Sequence, residues 1–295
     1  MAGHLIQSVT ILGTGLIGGS FALALRKYTT DITIRGWDRA EQAGEATRGG
    51  VVDKAFCGAL EEALQDADLV YIALPIGVTL DILPEVARLA PAHALVTDAC
   101  STKQRIAEAA GELFANAAGP RFLGGHPMAG REVSGMAHAD AELFRGHAYA
   151  LIEEARDEQS EARGDARVGA FVKILEKIGA RPVWLGAKQH DYAVGLASHL
   201  PQLAAVALGA FLYDQLDENG LPITLAGPGL RDTLRLAGSS YQTWRDIVLT
   251  NREVLSAALD LLARRIEDLR EQLGTRELEA EFEAANELYK LLRGL

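Results

Sequence analysis

The chain has 295 residues, 48% hydrophobic and 23% charged, with a formal net charge of −11. Such a length favours two domains, and such a balance favours a folded protein with a substantial core. An isoelectric point near 5.2, with no basic stripe or polybasic run, argues against a general nucleic-acid or anionic-membrane surface, so an anionic substrate would need locally placed arginines.

The first predicted element is a strand over Val9 to Leu12, followed by a glycine turn, GTGLIGGS, and an Ala/Leu-rich helix from Phe21. Each glycine has its own reason: Gly13 bends tightly after the strand, Gly15 lets a pyrophosphate approach the backbone, and Gly18 lets helix and strand pack closely. The helix start, with Leu16 and Ile17 between the glycines, presents free N–H groups and partial positive charge to phosphates. A second strand, Ile32 to Trp37, ends at Asp38, twenty residues beyond Gly18. A carboxylate there is placed to hold the adenosine ribose hydroxyls and to repel a 2′-phosphate, which favours NAD, while adjacent Arg39 leaves NADP possible.

Further buried strands are predicted at Leu69 to Leu74, ending at Pro75, and at Ala94 to Thr97, Phe122 to Gly125 and Ala148 to Ile152. Helices are expected between them, for example Thr79 to Leu89 and Thr102 to Phe114. The charged stretch Glu153 to Asp165 reads as a surface connection, followed by a helix over Val168 to Ile178 and a last strand over Arg181 to Leu185. From Lys188 onward only helices are predicted, which places the domain boundary near Ala187. The fold class is α/β, a Rossmann-type doubly wound, mostly parallel sheet with an all-helical C-terminal domain. Its Leu- and Ala-rich helices predict a homodimer.

Tyr192 to Tyr213 lacks Asp, Glu, Lys and Arg, yet Ser198, His199, Pro201 and Gln202 interrupt it. We therefore expect a buried helix lining a pocket rather than a membrane span. Cys57 and Cys100 are too few for a disulfide framework and are expected as reduced thiols. No basic segment followed by a cleavable apolar run precedes the first strand, so a cytoplasmic protein is expected.

Polar clusters follow three strands: Pro75 to Thr79, Asp98 to Lys103 and His126 to Glu132. His126, flanked by glycines and held extended by Pro127, is the candidate general base that takes a hydroxyl proton while hydride leaves for nicotinamide. With a reference pKa of about 6.5, it predicts activity falling on acidification through that region. Ser101 can orient the imidazole or bond substrate oxygen, and it also suits a helix N-cap. Arg231 and Arg235 share a face if their helix is regular, and a guanidinium there can grip a carboxylate.

The ordered set GTGLIGGS, DACSTK, GGHPMAGREVSG, SHLPQ and RDTLRLAGSSYQTWRDIVLTN resembles the prephenate/arogenate (cyclohexadienyl) dehydrogenase family of tyrosine biosynthesis over almost the whole chain. The resemblance implies His126 as catalytic histidine, Ser101 as its partner and Arg235 as the arginine for a substrate carboxylate. It also implies Glu132 and Asp232 as acidic groups near the entrance, His199 as a pocket histidine, and a helical dimerisation domain. Gln202 stands where many family members carry a second histidine, which leaves prephenate against arogenate open. NAD is the implied cofactor, and no metal is required. The alternatives are a β-hydroxyacid dehydrogenase of related architecture, for which only Lys188 lies near the expected lysine, and a non-catalytic NAD-binding regulatory protein.

Overall fold

The computed structural model describes residues 6–131, 133–153, 164–216 and 220–294. Its first half alternates strand and helix. In order come β1 (Ser8–Leu12), α1 (Leu16–Tyr28), β2 (Thr33–Trp37), α2 (Ala40–Arg48), β3 (Lys54–Phe56), α3 (Leu60–Leu64), β4 (Leu69–Ile72), α4 (Ile76–Leu89), β5 (Leu95–Asp98), α5 (Gln104–Leu113) and β6 (Arg121–Pro127). After these come β7 (Ala148–Ile152), α6 (Ala166–Lys177) and β8 (Arg181–Leu185).

The eight strands form one sheet in the order β3-β2-β1-β4-β5-β6-β7-β8. All neighbours are parallel except β6 and β7. The strand order therefore reverses between β1 and β4, which opens a crevice beyond their carboxyl ends, where doubly wound sheets bind ligands. Strands β4 and β5 are buried at every position, because helices cover both faces.

Aromatic packing locks the first helix to the sheet. Phe21 of α1 stacks on Tyr71 of β4 at 4.0 Å between centroids and meets Phe144 and Phe171 edge-on. The hydroxyl of Tyr149 on β7 donates to that of Tyr71 at 3.2 Å, so this knot spans α1, β4, β7 and α6.

From residue 187 onward the described residues contain only helices and turns. Helix α7 (Ala187–Val194) continues through a wide π turn, Gly195–His199, into α8 (Leu200–Asp214). Pro201 lacks an N–H and crowds the carbonyl four residues back; the wide turn just before it accommodates both effects. Then follow α9 (Leu221–Thr224), α10 (Pro228–Leu234), a 3₁₀ turn at Leu236–Gly238, α11 (Tyr241–Thr250), α12 (Arg252–Glu271) and α13 (Glu277–Arg293). Ile247 of α11 joins Ile76, Cys100 and Ile106 in a cluster where the helical half meets α4 and α5.

One expectation changes here. The uncharged stretch is not a buried helix: Tyr192, Phe211 and Tyr213 are 60%, 58% and 75% exposed, because α7 and α8 rest on neighbours along one side only. The expected surface connection falls mostly outside the described residues.

Candidate active site

His126 is the second-to-last residue of β6 and pairs with Ala150 of β7. The glycine before it has a packing reason, since a Cβ on Gly125 would lie 2.7 Å from the Asp98 carbonyl oxygen and 3.0 Å from the Tyr149 ring. Beneath the histidine, Lys103 is buried and donates from Nζ to Asp98 Oδ2 and, at 2.6 Å, to the Gly125 carbonyl. Asp98 in turn accepts from the Gly125 and Cys100 backbone N–H groups at 3.1 and 3.0 Å.

The imidazole is buried, and its Nδ1 lies 2.9 Å from Nε2 of His190. His190 Nδ1 lies 2.8 Å from Asp191 Oδ1. Both residues come from α7, in the helical half. Asp191 also accepts the Lys103 and Gln104 backbone N–H groups at 2.7 and 2.9 Å, capping α5 from another helix. Ser101 is half-buried in the turn after β5 and is not that cap: helix α5 begins at Gln104, and Asp191 takes the orphan donors.

Burial holds the His126 imidazole well below the ordinary histidine pKa, with His190, Lys103 and His199 acting in the same direction. The expected activity loss through about pH 6.5 is thereby displaced to lower pH, because a buried cation beside Lys103 is disfavoured.

His199, in the wide turn, is buried, and burial lowers its pKa to about 4. Asn251 Nδ2 donates to the Asp191 carbonyl at 2.8 Å and faces His199 Nδ1 at 3.3 Å. An amide nitrogen only donates, so a neutral His199 carries its proton on Nε2. Close approach of α12 depends on Gly195, where a Cβ would lie 2.7 Å from Val254 Cγ1.

Gln202 is buried and donates from Nε2 to the Leu236 carbonyl at 2.8 Å, which ties α8 to the turn next to Arg235. Arg235 is exposed just past the end of α10, so the regular helix assumed for Arg231 and Arg235 stops between them. Asp232 is exposed on α10, and Glu132 lies outside the described residues.

On the other side of the crevice, Gly13 has φ +94°, and a Cβ there would lie 2.5 Å from the Ala73 carbonyl oxygen. At Gly18 a Cβ would meet the Gly13 carbonyl oxygen at 1.9 Å, whereas at Gly15 nothing lies within 4 Å. Two glycines are thus demanded by the protein's own packing, and the third borders open space that a Cβ would enter, which suits a pyrophosphate. Asp38 accepts the Thr14 N–H at 2.7 Å and hydroxyl at 3.1 Å, so it also braces the turn. Leu16 and Ile17 are half-buried at the start of α1, and Pro75 is exposed at the N-cap of α4.

Residues 21–184 match the family model described as the prephenate dehydrogenase nucleotide-binding domain, and residues 186–293 match that of the prephenate dehydrogenase dimerization domain. The chain belongs to the prephenate dehydrogenase family. The prephenate dehydrogenase of Lactococcus lactis subsp. cremoris is 32% identical over 276 residues, covering 93% of this chain and 73% of that protein. The cyclohexadienyl dehydrogenase of Zymomonas mobilis subsp. mobilis is 27% identical, covering 92% and 90%. A crystal structure of prephenate dehydrogenase from A. aeolicus in complex with hydroxyphenyl propionate and NAD+ superimposes with a TM-score of 0.84 at 28% identity, covering 98% of this chain and 97% of that one. Synechocystis arogenate dehydrogenase gives 0.78 at 27% identity, covering 97% and 99%.

As a prephenate dehydrogenase family member the chain is an oxidoreductase with NAD as cofactor. Within this scaffold, sequence reasoning did not single out His190, Asp191, Lys103 or Asn251. The only signal for the first two was a His-Asp pair, the last charge before the uncharged stretch.

Proposed function

We propose that this chain carries out NAD-dependent oxidative decarboxylation of prephenate, arogenate or both, with His126 as general base. The observation that carries the assignment is His126 itself: a buried, strand-end imidazole with its Nδ1 engaged and its Nε2 left for a substrate hydroxyl. These substrates are cyclohexadienes with a hydroxyl on C4 and a carboxylate on C1. The hydroxyl O–H breaks and its proton goes to His126 Nε2. Hydride leaves C4, the C1–CO2 bond gives its electron pair through the ring to the C4 oxygen as CO2 departs, and the oxygen takes a proton back to give a phenol. Aromatisation supplies the driving force. NAD, when bound, supplies the hydride acceptor.

Ser101 bonds the substrate oxygen in this reading, and Arg235 grips a carboxylate through paired N–H donors. His199 offers its Nε2–H. Gln202 sets the turn beside Arg235 and helps choose between keto acid and amino acid, while Glu132 and Asp232 are the acidic groups that the family resemblance assigns to the entrance. Gly13, Gly15, Leu16, Ile17, Gly18, Asp38 and Pro75 hold the cofactor in the part we assign to residues 1–187; residues 188–295 form the substrate and dimerisation part. The homodimer reading is supported by the exposed apolar side chains of the helical half and by its family description. A cytoplasmic location agrees with a biosynthetic role.

The test is NADH formation with prephenate and with arogenate in parallel, repeated with NADP. Turnover of prephenate alone means that Gln202 accommodates the keto acid. Turnover of arogenate alone makes Gln202 a candidate specificity switch, and turnover of neither refutes the assignment.

A further inference from the structure

Asp191, His190 and His126 lie in a buried line that crosses from the helical half into the sheet. The two links are 2.8 and 2.9 Å, and the imidazole rings meet edge-to-face at 70° with centroids 5.1 Å apart. An ionised carboxylate only accepts hydrogen bonds, so His190 Nδ1 carries a proton. A neutral His190 then has its lone pair on Nε2, facing His126 Nδ1. One proton can occupy that contact, and it belongs to His126. The same proton placement leaves the lone pair of His126 on Nε2.

We propose that His190 and Asp191 are positioning residues that hold His126 in the tautomer with Nε2 unprotonated, the form able to accept the substrate hydroxyl proton. This rests on the reading of His126 as general base. When Nε2 takes the proton, the imidazolium Nδ1–H still points at His190 Nε2 and, through that ring, at the Asp191 carboxylate. The transition-state charge thus gains an oriented acceptor without any movement.

The surroundings make this arrangement specific. Asp191 cannot rotate away without releasing the Lys103 and Gln104 N–H groups, and its own carbonyl is held by Asn251 Nδ2. Lys103 Nζ is held by Asp98 and the Gly125 carbonyl, which fixes this cation below the strand that carries the base. Helix α7, outside the dinucleotide-binding sheet, thereby sets the protonation pattern of a histidine on β6.

The experiment is ¹⁵N NMR of histidine side chains in the intact, selectively labelled enzyme, combined with steady-state kinetics. In the wild type, the His126 signal, assigned by its loss in His126→Asn, is expected to report a protonated Nδ1 and an unprotonated Nε2. Asp191→Asn has one neutral acceptor oxygen for three donors, the Lys103 and Gln104 N–H groups and His190 Nδ1–H, so His190 loses its charged acceptor and His126 should shift toward the Nε2-protonated form. Its kcat should fall by about 10²–10⁴-fold, the scale of a wrong-tautomer histidine elsewhere, with KM for NAD unchanged. His190→Gln retains an oxygen acceptor opposite His126 and should stay within about tenfold of wild type, whereas His190→Leu should fall with Asp191→Asn.

A wild-type His126 protonated on Nε2 overturns the proposal, and so does a folded His190→Leu enzyme with undiminished kcat. If Asp191→Asn fails to fold because α5 loses its cap, the wild-type spectrum and the His190 pair still decide. Failure of the base assignment looks different: His126→Asn then retains its kcat whatever the spectrum shows.

Discussion

His126 stands at a strand end in a site that disfavours its cation and so keeps the ring neutral. Burial lowers its proton affinity, and the network below it limits how far the ring can turn. Removing a positioned general base costs about 10²–10⁴-fold, so His126→Asn should lower kcat at least a hundredfold, measured by NADH formation. Because the neutral ring is the working form, kcat/KM should be full above the depressed pKa and fall as pH drops through it. The acid limb should therefore lie below about pH 6.5, and a profile falling through 6.5 or above would show that His126 is solvated in the working enzyme. His199, whose pKa burial lowers to about 4, is neutral at the same pH and so offers no fixed positive charge.

The glycine turn and the start of α1 show how one short segment separates stability from binding. Gly18→Ala forces a Cβ to 1.9 Å from a backbone oxygen, and overpacking of this kind costs about 1–3 kcal/mol, visible as a lower Tm. Gly15→Ala meets nothing within 4 Å in the protein, so Tm should hold while Kd for NAD rises about tenfold, measured by calorimetry. Equal NAD affinity in Gly15→Ala would move the pyrophosphate away from this turn. At the other side of the crevice, Gln202 ties α8 to the turn that follows Arg235. Losing one such bond is worth about 1 kcal/mol, so Gln202→Leu should raise the substrate KM about fivefold and leave the NAD KM alone. Arg235→Gln should raise the substrate KM further, as expected of an anchor that holds ground and transition states alike.

Across the whole molecule, the sheet half buries its apolar side chains and the helical half leaves many in the open. Leu225, Leu291 and Leu292 are 80%, 76% and 79% exposed, and the apolar face of α8 adds Phe211 and Tyr213. Ala187–Asp214 is long and apolar enough to cross a bilayer by length and composition. Its buried polar groups, His190, Asp191, His199 and Gln202, are however bonded to protein partners, which fits coverage of the open face by a second copy. Light scattering at micromolar concentration should return twice the 31.6 kDa chain mass, and a single-chain mass would reject the homodimer.

Much of this architecture was legible in the chain because its determinants are local. Apolar runs of strand length ending at Gly, Pro or Asp marked β1, β2, β4 and β5, and the spacing from Gly18 to Asp38 marked the turn and its acid. The short edge strand β3 carried no such run and was not anticipated, because pairing with β2, not its own residues, makes KAF a strand. His126 was legible by its glycine flanks and strand-end position. Its surroundings were not: burial lowers its pKa, and the occupied nitrogen and the cap on α5 depend on His190 and Asp191, which only folding brings next to residues 103 to 126. Nor could composition say which side of Tyr192 to Tyr213 is covered. By itself the sequence determined most of the strands and helices and which side chains are candidates for the chemistry, since period and turn residues act over a few positions. The tertiary structure decided where protons sit and which apolar faces stay open, because burial and long-range hydrogen bonds sum over neighbours that lie far apart along the chain.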